Sequence, residues 1–183
     1  MAEVTITKID AARRQLRMAI DLWFADGDPV PIHTLACAAY QIVHDLHERQ
    51  KKPRPPMLLD VECIKDEYKN KIRDALKQPA NFMKHGNRGK AGAMTSLTFD
   101  PELSVFFISF TIQGLIYLKQ DLSAEEQAFN IWQRLHRPDY FTKAWQDLVK
   151  NNLDAIAVAG LHALSKQHLY RRVRDSVAAR LGR

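Results

Sequence analysis

Five side chains that can bind a proton, a metal ion or a polar ligand recur along one stretch of the sequence: His33, Cys37, Tyr40, His44 and His47. At the helical period of roughly 100° per residue, they fall within a sector of about 80° beside an apolar stripe. Imidazoles one turn apart can converge, so His44 and His47 could hold a divalent metal with a carboxylate from another helix. The five side chains would form one ridge along the helix. This ridge could instead pack against a neighbouring helix with its histidines hydrogen-bonded. No second cluster of histidines and carboxylates completes a metal site, so we favour packing and expect no cofactor.

A second group of polar side chains lies in the stretch KQPANFMKHGNRGK, residues 77–90, between a proline and a run of glycines. We expect an irregular segment or a short helical turn, where polar side chains often bind ligands. Lys84 and Arg88 could contact an anion, and His85 could act as an acid or a base. The alternative is a solvated turn in which Asn81 caps the next helical turn. The predicted ligand-binding residues are Asn81, Lys84, His85 and Arg88, with His85 and Lys84 as the candidates for catalysis.

The carboxyl-terminal residues form a basic amphipathic segment. The whole chain has a formal net charge of +6, and residues 161–183 carry six arginines and lysines against Asp175 alone. An apolar stripe at helical spacing runs through this segment. Such a helix could cover a core, pair with a second copy of the chain, or contact nucleic acid or another anionic partner through its cations. The cations concerned are Lys166, Arg171, Arg172, Arg174 and Arg180.

Helical periodicity dominates the chain, and it positions these groups on separate elements. We predict a first helix from about Thr7 to Ala25, a second that ends before residue 51, and a third that Pro79 stops or kinks. An apolar helix follows Asp100 and ends at Leu118, and the pair Ser123 and Glu126 forms a capping box for the next one. Further helices are predicted from near residue 139 and from residue 153, with interruptions near 151–152, 160 and 165.

The fold class predicted from these elements is all-α, a bundle of about six to eight helices with at most one short hairpin or strand near 94–99. We place a helical bundle domain at 1–160 and a basic helical arm at 161–183, packed on the same domain. Two cysteines and an amino terminus without an apolar run indicate the cytoplasm. The apolar segment 103–118 is shorter than the roughly 20 residues of a membrane helix, so we predict no membrane span.

Several enzyme classes lack their characteristic motifs in this sequence. There is no glycine-rich phosphate loop, no Gly-x-Ser-x-Gly, no Cys-x-x-Cys and no His-Glu-x-x-His. The paired Glu-x-x-His motifs of di-iron bundles are also missing. These absences favour a protein that is not an enzyme, although they do not exclude enzymes that lack a recognisable sequence motif.

Two stretches carry a resemblance to known proteins. DPVPIHTLACAAY at 28–40 together with PANFMKH at 79–85 resembles a group of uncharacterised bacterial helical proteins with Ile-His-Thr-Leu-x-x-Ala-Ala and Asn-Phe-x-Lys-His. The second stretch is also similar to the Arg-Asn-x-x-x-His pattern of the HEPN superfamily, which includes ribonucleases. Asn81 and His85 match that pattern, and Ala80 occupies the arginine position. The resemblance implies that the arginine stabilises phosphate charge, which alanine cannot do, so Lys84, Arg73 or Arg88 would have to supply the cation.

The sequence therefore favours a helical binding or regulatory module that recognises a polar or anionic partner near Asn81–His85. The first alternative is a HEPN-like ribonuclease or another phosphodiester-cleaving protein. The second is a structural protein that forms homo-oligomers through its terminal helix.

Overall fold

The computed structural model describes residues 3–50, 66–85, 95–138 and 160–180. Over these ranges the chain is all-α, as predicted, and residues 95–100 are irregular instead of forming a strand. The six helices are α1 (Lys8–Phe24), α2 (Pro29–Gln50), α3 (Asp66–Lys84), α4 (Leu103–Tyr117), α5 (Ala124–His136) and α6 (Lys166–Arg180). The helices predicted from near residue 139 and from residue 153 begin outside the described residues.

Helices α1 and α2 each begin directly after a residue whose side chain caps the first helical turn. Thr7 precedes α1, and its hydroxyl accepts a hydrogen bond from the backbone N–H of Asp10, whose carboxylate accepts one from the backbone N–H of Thr7 in return. This reciprocal pair satisfies two of the unpaired donors at the start of the helix. Asp28 has the same role for α2, since its carboxylate accepts from the N–H of Val30 at 2.8 Å, and Pro29 fits the first helical position.

Helix α3 continues through Pro79 to Lys84, so of the two effects predicted for this proline the stop was wrong, and a kink stays a prediction. A proline inside a helix lacks the N–H that would bond the carbonyl one turn earlier and costs about 3 kcal/mol. Tertiary packing offsets that cost here, because Pro79 and Ala80 are buried and α3 packs on α2. The segment 81–84, expected to be irregular or a separate turn, is therefore the last turn of a long helix.

Helix α4 is the buried centre of the first part of the chain. Asp100 bonds the N–H of Glu102 at 2.9 Å through its carboxylate, and backbone bonds from Leu103 to Asp100 and from Ser104 to Pro101 lead into the helix. Most of α4 is buried, and it packs mainly on α2 and to a smaller extent on α1. Among the helices described, none combines the length and apolar character required to span a lipid bilayer.

The contacts divide the chain into two units, Met1–Asp121 and Leu122–Arg183. In the second unit, α5 begins at the predicted capping box, where Ser123 and Glu126 bond each other's backbone N–H groups. The predicted apolar stripe consists of Leu169, Val173, Val177 and Leu181. Helix α6 packs on α5 and buries the first three, and Leu181 lies outside the described residues. The predicted boundary after residue 160 differs from this division, because α6 belongs with α5.

Candidate functional site

His33 lies in the first half of α2 and contacts Ser104 of α4. Its side chain is fully buried, and its ring lies 5.2 Å from the ring of Phe99 and 5.5 Å from that of Phe107, between ring centres. The Nδ1 atom lies 3.2 Å from the hydroxyl oxygen of Ser104 on α4. The Nε2 atom is also buried, and none of the described residues bonds it. In either neutral tautomer, this nitrogen can donate or accept one further hydrogen bond.

The surroundings of His33 keep its imidazole neutral. Burial lowers its pKa from the ordinary value of 6.5 to about 4, and the positive charge of Lys84 acts in the same direction. Desolvation disfavours the charged form of a base, and a nearby cation disfavours it further. At neutral pH the ring is therefore an uncharged hydrogen-bonding group beside a lysine.

The end of α3 lies against the first half of α2, next to His33. The hydroxyl of Thr34 donates to the sulfur of Met83 at 3.5 Å. Burial raises the pKa of the Cys37 thiol one turn after His33, and the charges of Lys84 and Lys77 oppose that rise. We use the name α2–α3 junction for His33, Thr34, Cys37, Met83 and Lys84. The fold thus brings part of the histidine-bearing ridge of α2 together with part of the stretch 77–90.

The residues predicted to bind a ligand have different exposures. Asn81 and Lys84 are exposed, and His85, directly after the helix, is half-buried. The carbonyl of Asn81 accepts the N–H of His85 at 3.1 Å, which continues the helical hydrogen bonding by one residue. Asn81 therefore does not begin a new helical turn, and it lies within the last turn of α3. Arg88 lies outside the described residues.

The two histidines proposed as weak metal ligands have separate environments. His47 is buried, and its Nε2–H donates to the carbonyl of Gly114 on α4 at 2.8 Å. His44 is half-buried, with Nδ1 at 3.7 Å from a carboxylate oxygen of Asp45 and its ring near Tyr40. Within the described residues, no group of three or more His, Cys, Asp or Glu side chains could hold a metal ion. The bond from His47 to Gly114 instead joins α2 to α4.

The basic residues predicted for an anionic partner lie in the second unit. Arg171, Arg172 and Arg180 are exposed on α6. The half-buried Arg174 places its guanidinium carbon 5.6 Å from the ring centre of Tyr170, and its Nε lies 3.7 Å from a carboxylate oxygen of Asp175. Lys166 is half-buried at the start of the helix. The three exposed arginines therefore lie on a helix whose apolar stripe is buried.

One group of rings in the second unit was not anticipated from the sequence. The rings of Trp132 and His136 are stacked with centres 5.4 Å apart, and those of His136 and His162 are stacked at 4.9 Å. The guanidinium carbon of Arg137 lies 5.4 Å from the centre of the Trp132 ring. Trp132 and His136 are four residues apart on one helix, a spacing that signals contact, but nothing in the sequence links them to His162.

Comparison with protein-family models, curated proteins and solved structures gave no match to this chain.

Proposed function

We propose that this protein is a cytoplasmic binding module that recognises a polar or anionic ligand at the α2–α3 junction and the neighbouring Asn81 and His85. The observation that carries the proposal is the buried Nε2 atom of His33, which no described residue bonds. A buried polar atom without a partner destabilises a fold by about 1–3 kcal/mol. A ligand that bonds this atom would recover that free energy, so the junction is better suited to binding than to packing alone.

The charges at the junction support a ligand with negative or hydrogen-bonding oxygen atoms. Lys84 is exposed, and its positive charge lowers the pKa of His33 and opposes the rise in the pKa of Cys37. The neutral imidazole of His33 can donate one hydrogen bond from Nε2 without adding charge. Asn81 adds an exposed amide in the same helical turn as Lys84. A compact oxoanion or a carboxylate matches one cation and two neutral hydrogen-bonding groups.

The proposal is tested by titrating the protein with inorganic phosphate while NMR records the imidazole signals of His33 and His85. We expect saturable shifts of both rings. Lys84→Ala should weaken phosphate binding by about two- to fivefold, the magnitude expected for one exposed charge contact.

The matched control is Lys8→Ala, which removes an equally exposed lysine from the start of α1. This variant should bind phosphate as the wild type does. If the two lysine variants bind phosphate equally well, or if phosphate leaves the His33 signals unchanged, the junction is not the anion site.

A further inference from the structure

The stacked rings of Trp132, His136 and His162 form a column with one buried end and one exposed end. Trp132 is buried, His136 is half-buried and His162 is exposed. The Trp132 and His136 planes differ by 9°, and those of His136 and His162 by 20°. We call these three rings the stacked column. Its planes are nearly parallel, so a further planar ring could continue the series at the exposed end.

The two inner rings of the column, Trp132 and His136, are held within α5. The Nδ1–H of His136 donates to the carbonyl of Trp132 at 3.1 Å, which fixes the orientation of the middle ring. The guanidinium of Arg137 lies over Trp132. No other ring among the described residues stacks on His162. The outer imidazole therefore has one face on His136 and an exposed position from which to receive a ligand.

The unit that carries the column is basic. Its described residues include seven arginines and lysines against three acidic residues, a formal net charge of +4. Two of the acidic residues, Glu125 and Glu126, are buried, and Glu126 bonds the backbone N–H of Ser123. Among the described residues of this unit, Asp175 is the one exposed acidic side chain, and the exposed Arg171, Arg172 and Arg180 outnumber it, a distribution that attracts phosphates.

We propose that the stacked column binds a base of single-stranded nucleic acid, with the base on His162 and the phosphates facing the arginines of the second unit. Aromatic side chains beside cations are the features by which proteins bind unpaired bases, and one such stacking contact contributes about 1–3 kcal/mol. A base within a duplex already stacks on its neighbours and cannot continue the column. This site is independent of the phosphate site proposed at the α2–α3 junction.

The test measures fluorescence anisotropy with a labelled single-stranded oligouridylate of about 12 nucleotides, a length within the range of known single-strand sites. His162→Ala should weaken binding by about tenfold, which corresponds to one lost stacking contact. His162→Phe keeps a flat ring and should stay within about twofold of the wild type, because stacking on a π-face does not require imidazole.

The matched control is His168→Ala, which removes another exposed histidine of the same unit, one that bonds the hydroxyl of Ser165. This variant should bind as the wild type does. Circular dichroism of every variant confirms that the helices are retained.

Two further ligands separate stacking from charge attraction. A duplex of the same length should bind more weakly than the single strand, although it carries more phosphates, and free uridine monophosphate should bind far more weakly than the oligomer. Three results would overturn the proposal. The duplex could bind as tightly as the single strand or more tightly, the monophosphate could bind as tightly as the oligomer, or His162→Ala could bind the oligomer with the affinity of the wild type.

Discussion

At the scale of single residues, His33 and His47 of α2 each bond α4 through one ring nitrogen, but the second ring nitrogen of His33 is buried and no described residue bonds it. His47 lies on the same ridge and uses its Nε2–H to hold the carbonyl of Gly114. His33 uses Nδ1 with Ser104 and leaves Nε2 buried and unbonded by any described residue. The same residue type therefore serves packing at one position and offers an open hydrogen bond about four turns away.

The lowered pKa of His33, about 4 in the folded chain against the ordinary 6.5, predicts a specific loss of stability in acid. Between these values the unfolded chain binds a proton that the folded chain does not, so the free energy of unfolding falls as the pH falls. Relative to His33→Gln, which cannot titrate, the wild type should lose roughly 2–3 kcal/mol between pH 7 and pH 4.

This loss is measured by urea unfolding at several pH values, followed through the backbone amide NMR signals of α2. The other histidines are shared by the two proteins, so their contributions cancel in the comparison. If the free energy of unfolding changes with pH equally in the wild type and the variant, the loss of stability in acid does not come from His33.

At the scale of the helix, α3 explains why residues 77–84 differ from the expectation of an irregular segment. Pro79 is compatible with the helix because it lies on the buried face next to Ala80, where packing on α2 offsets the missing backbone bond. Ala80 is only 2% exposed. The position at which the HEPN pattern has its arginine is therefore a tightly packed one in this chain.

Replacing this alanine by the arginine of that pattern should destabilise the fold without producing ribonuclease activity. Ala80→Arg forces a long charged side chain into a packed layer and should lower the free energy of unfolding by about 3 kcal/mol. Urea unfolding measures the stability, and incubation with RNA measures cleavage.

The matched control is Ala75→Arg, at an exposed position of the same helix, which should change stability by less than about 0.5 kcal/mol. Cleavage of RNA by Ala80→Arg, abolished by adding His85→Ala, would instead support the ribonuclease alternative. Equal stability of the two arginine variants would show that Ala80 is not a packed position.

At the scale of the whole molecule, the apolar stripe of the terminal helix is already used within the chain. Leu169 is fully buried, and Val173 and Val177 are nearly so, on a helix that packs against α5. The oligomerisation alternative took this stripe as an open interface. Its burial supports a role in holding the second unit together.

Leu169→Ala should therefore lower the stability of the second unit and leave the oligomeric state as it is in the wild type. Truncation of a buried leucine to alanine costs about 3 kcal/mol. Hydrogen exchange of α5 and α6 measures the stability, and light scattering measures the molecular mass. Gln167→Ala, at an exposed position of the same helix, should change neither. A lower mass with unchanged exchange would indicate that Leu169 acts between chains.

The sequence by itself determined the class of fold and the starts of several helices. Those features depend on residues close together in the chain: the α1 start at Thr7, the capping box of Ser123 and Glu126, and the apolar run of α4. Capping and amphipathicity act over one or two turns, so periodicity is enough to reveal them. The polar residues of the stretch 77–90 were likewise visible from their types, although the helical conformation of residues 77–84 was not.

Only the tertiary structure decided which of the polar groups meet. His33 and Ser104 are 71 residues apart, and His47 and Gly114 are 67 apart. The stacked column joins His136 to His162 across a shorter gap of 26 residues. Burial had two further effects that the sequence did not predict. Packing offset the cost of the backbone hydrogen bond that Pro79 cannot make, and desolvation lowered the pKa of His33. Such effects depend on long-range packing, and no local spacing encodes them.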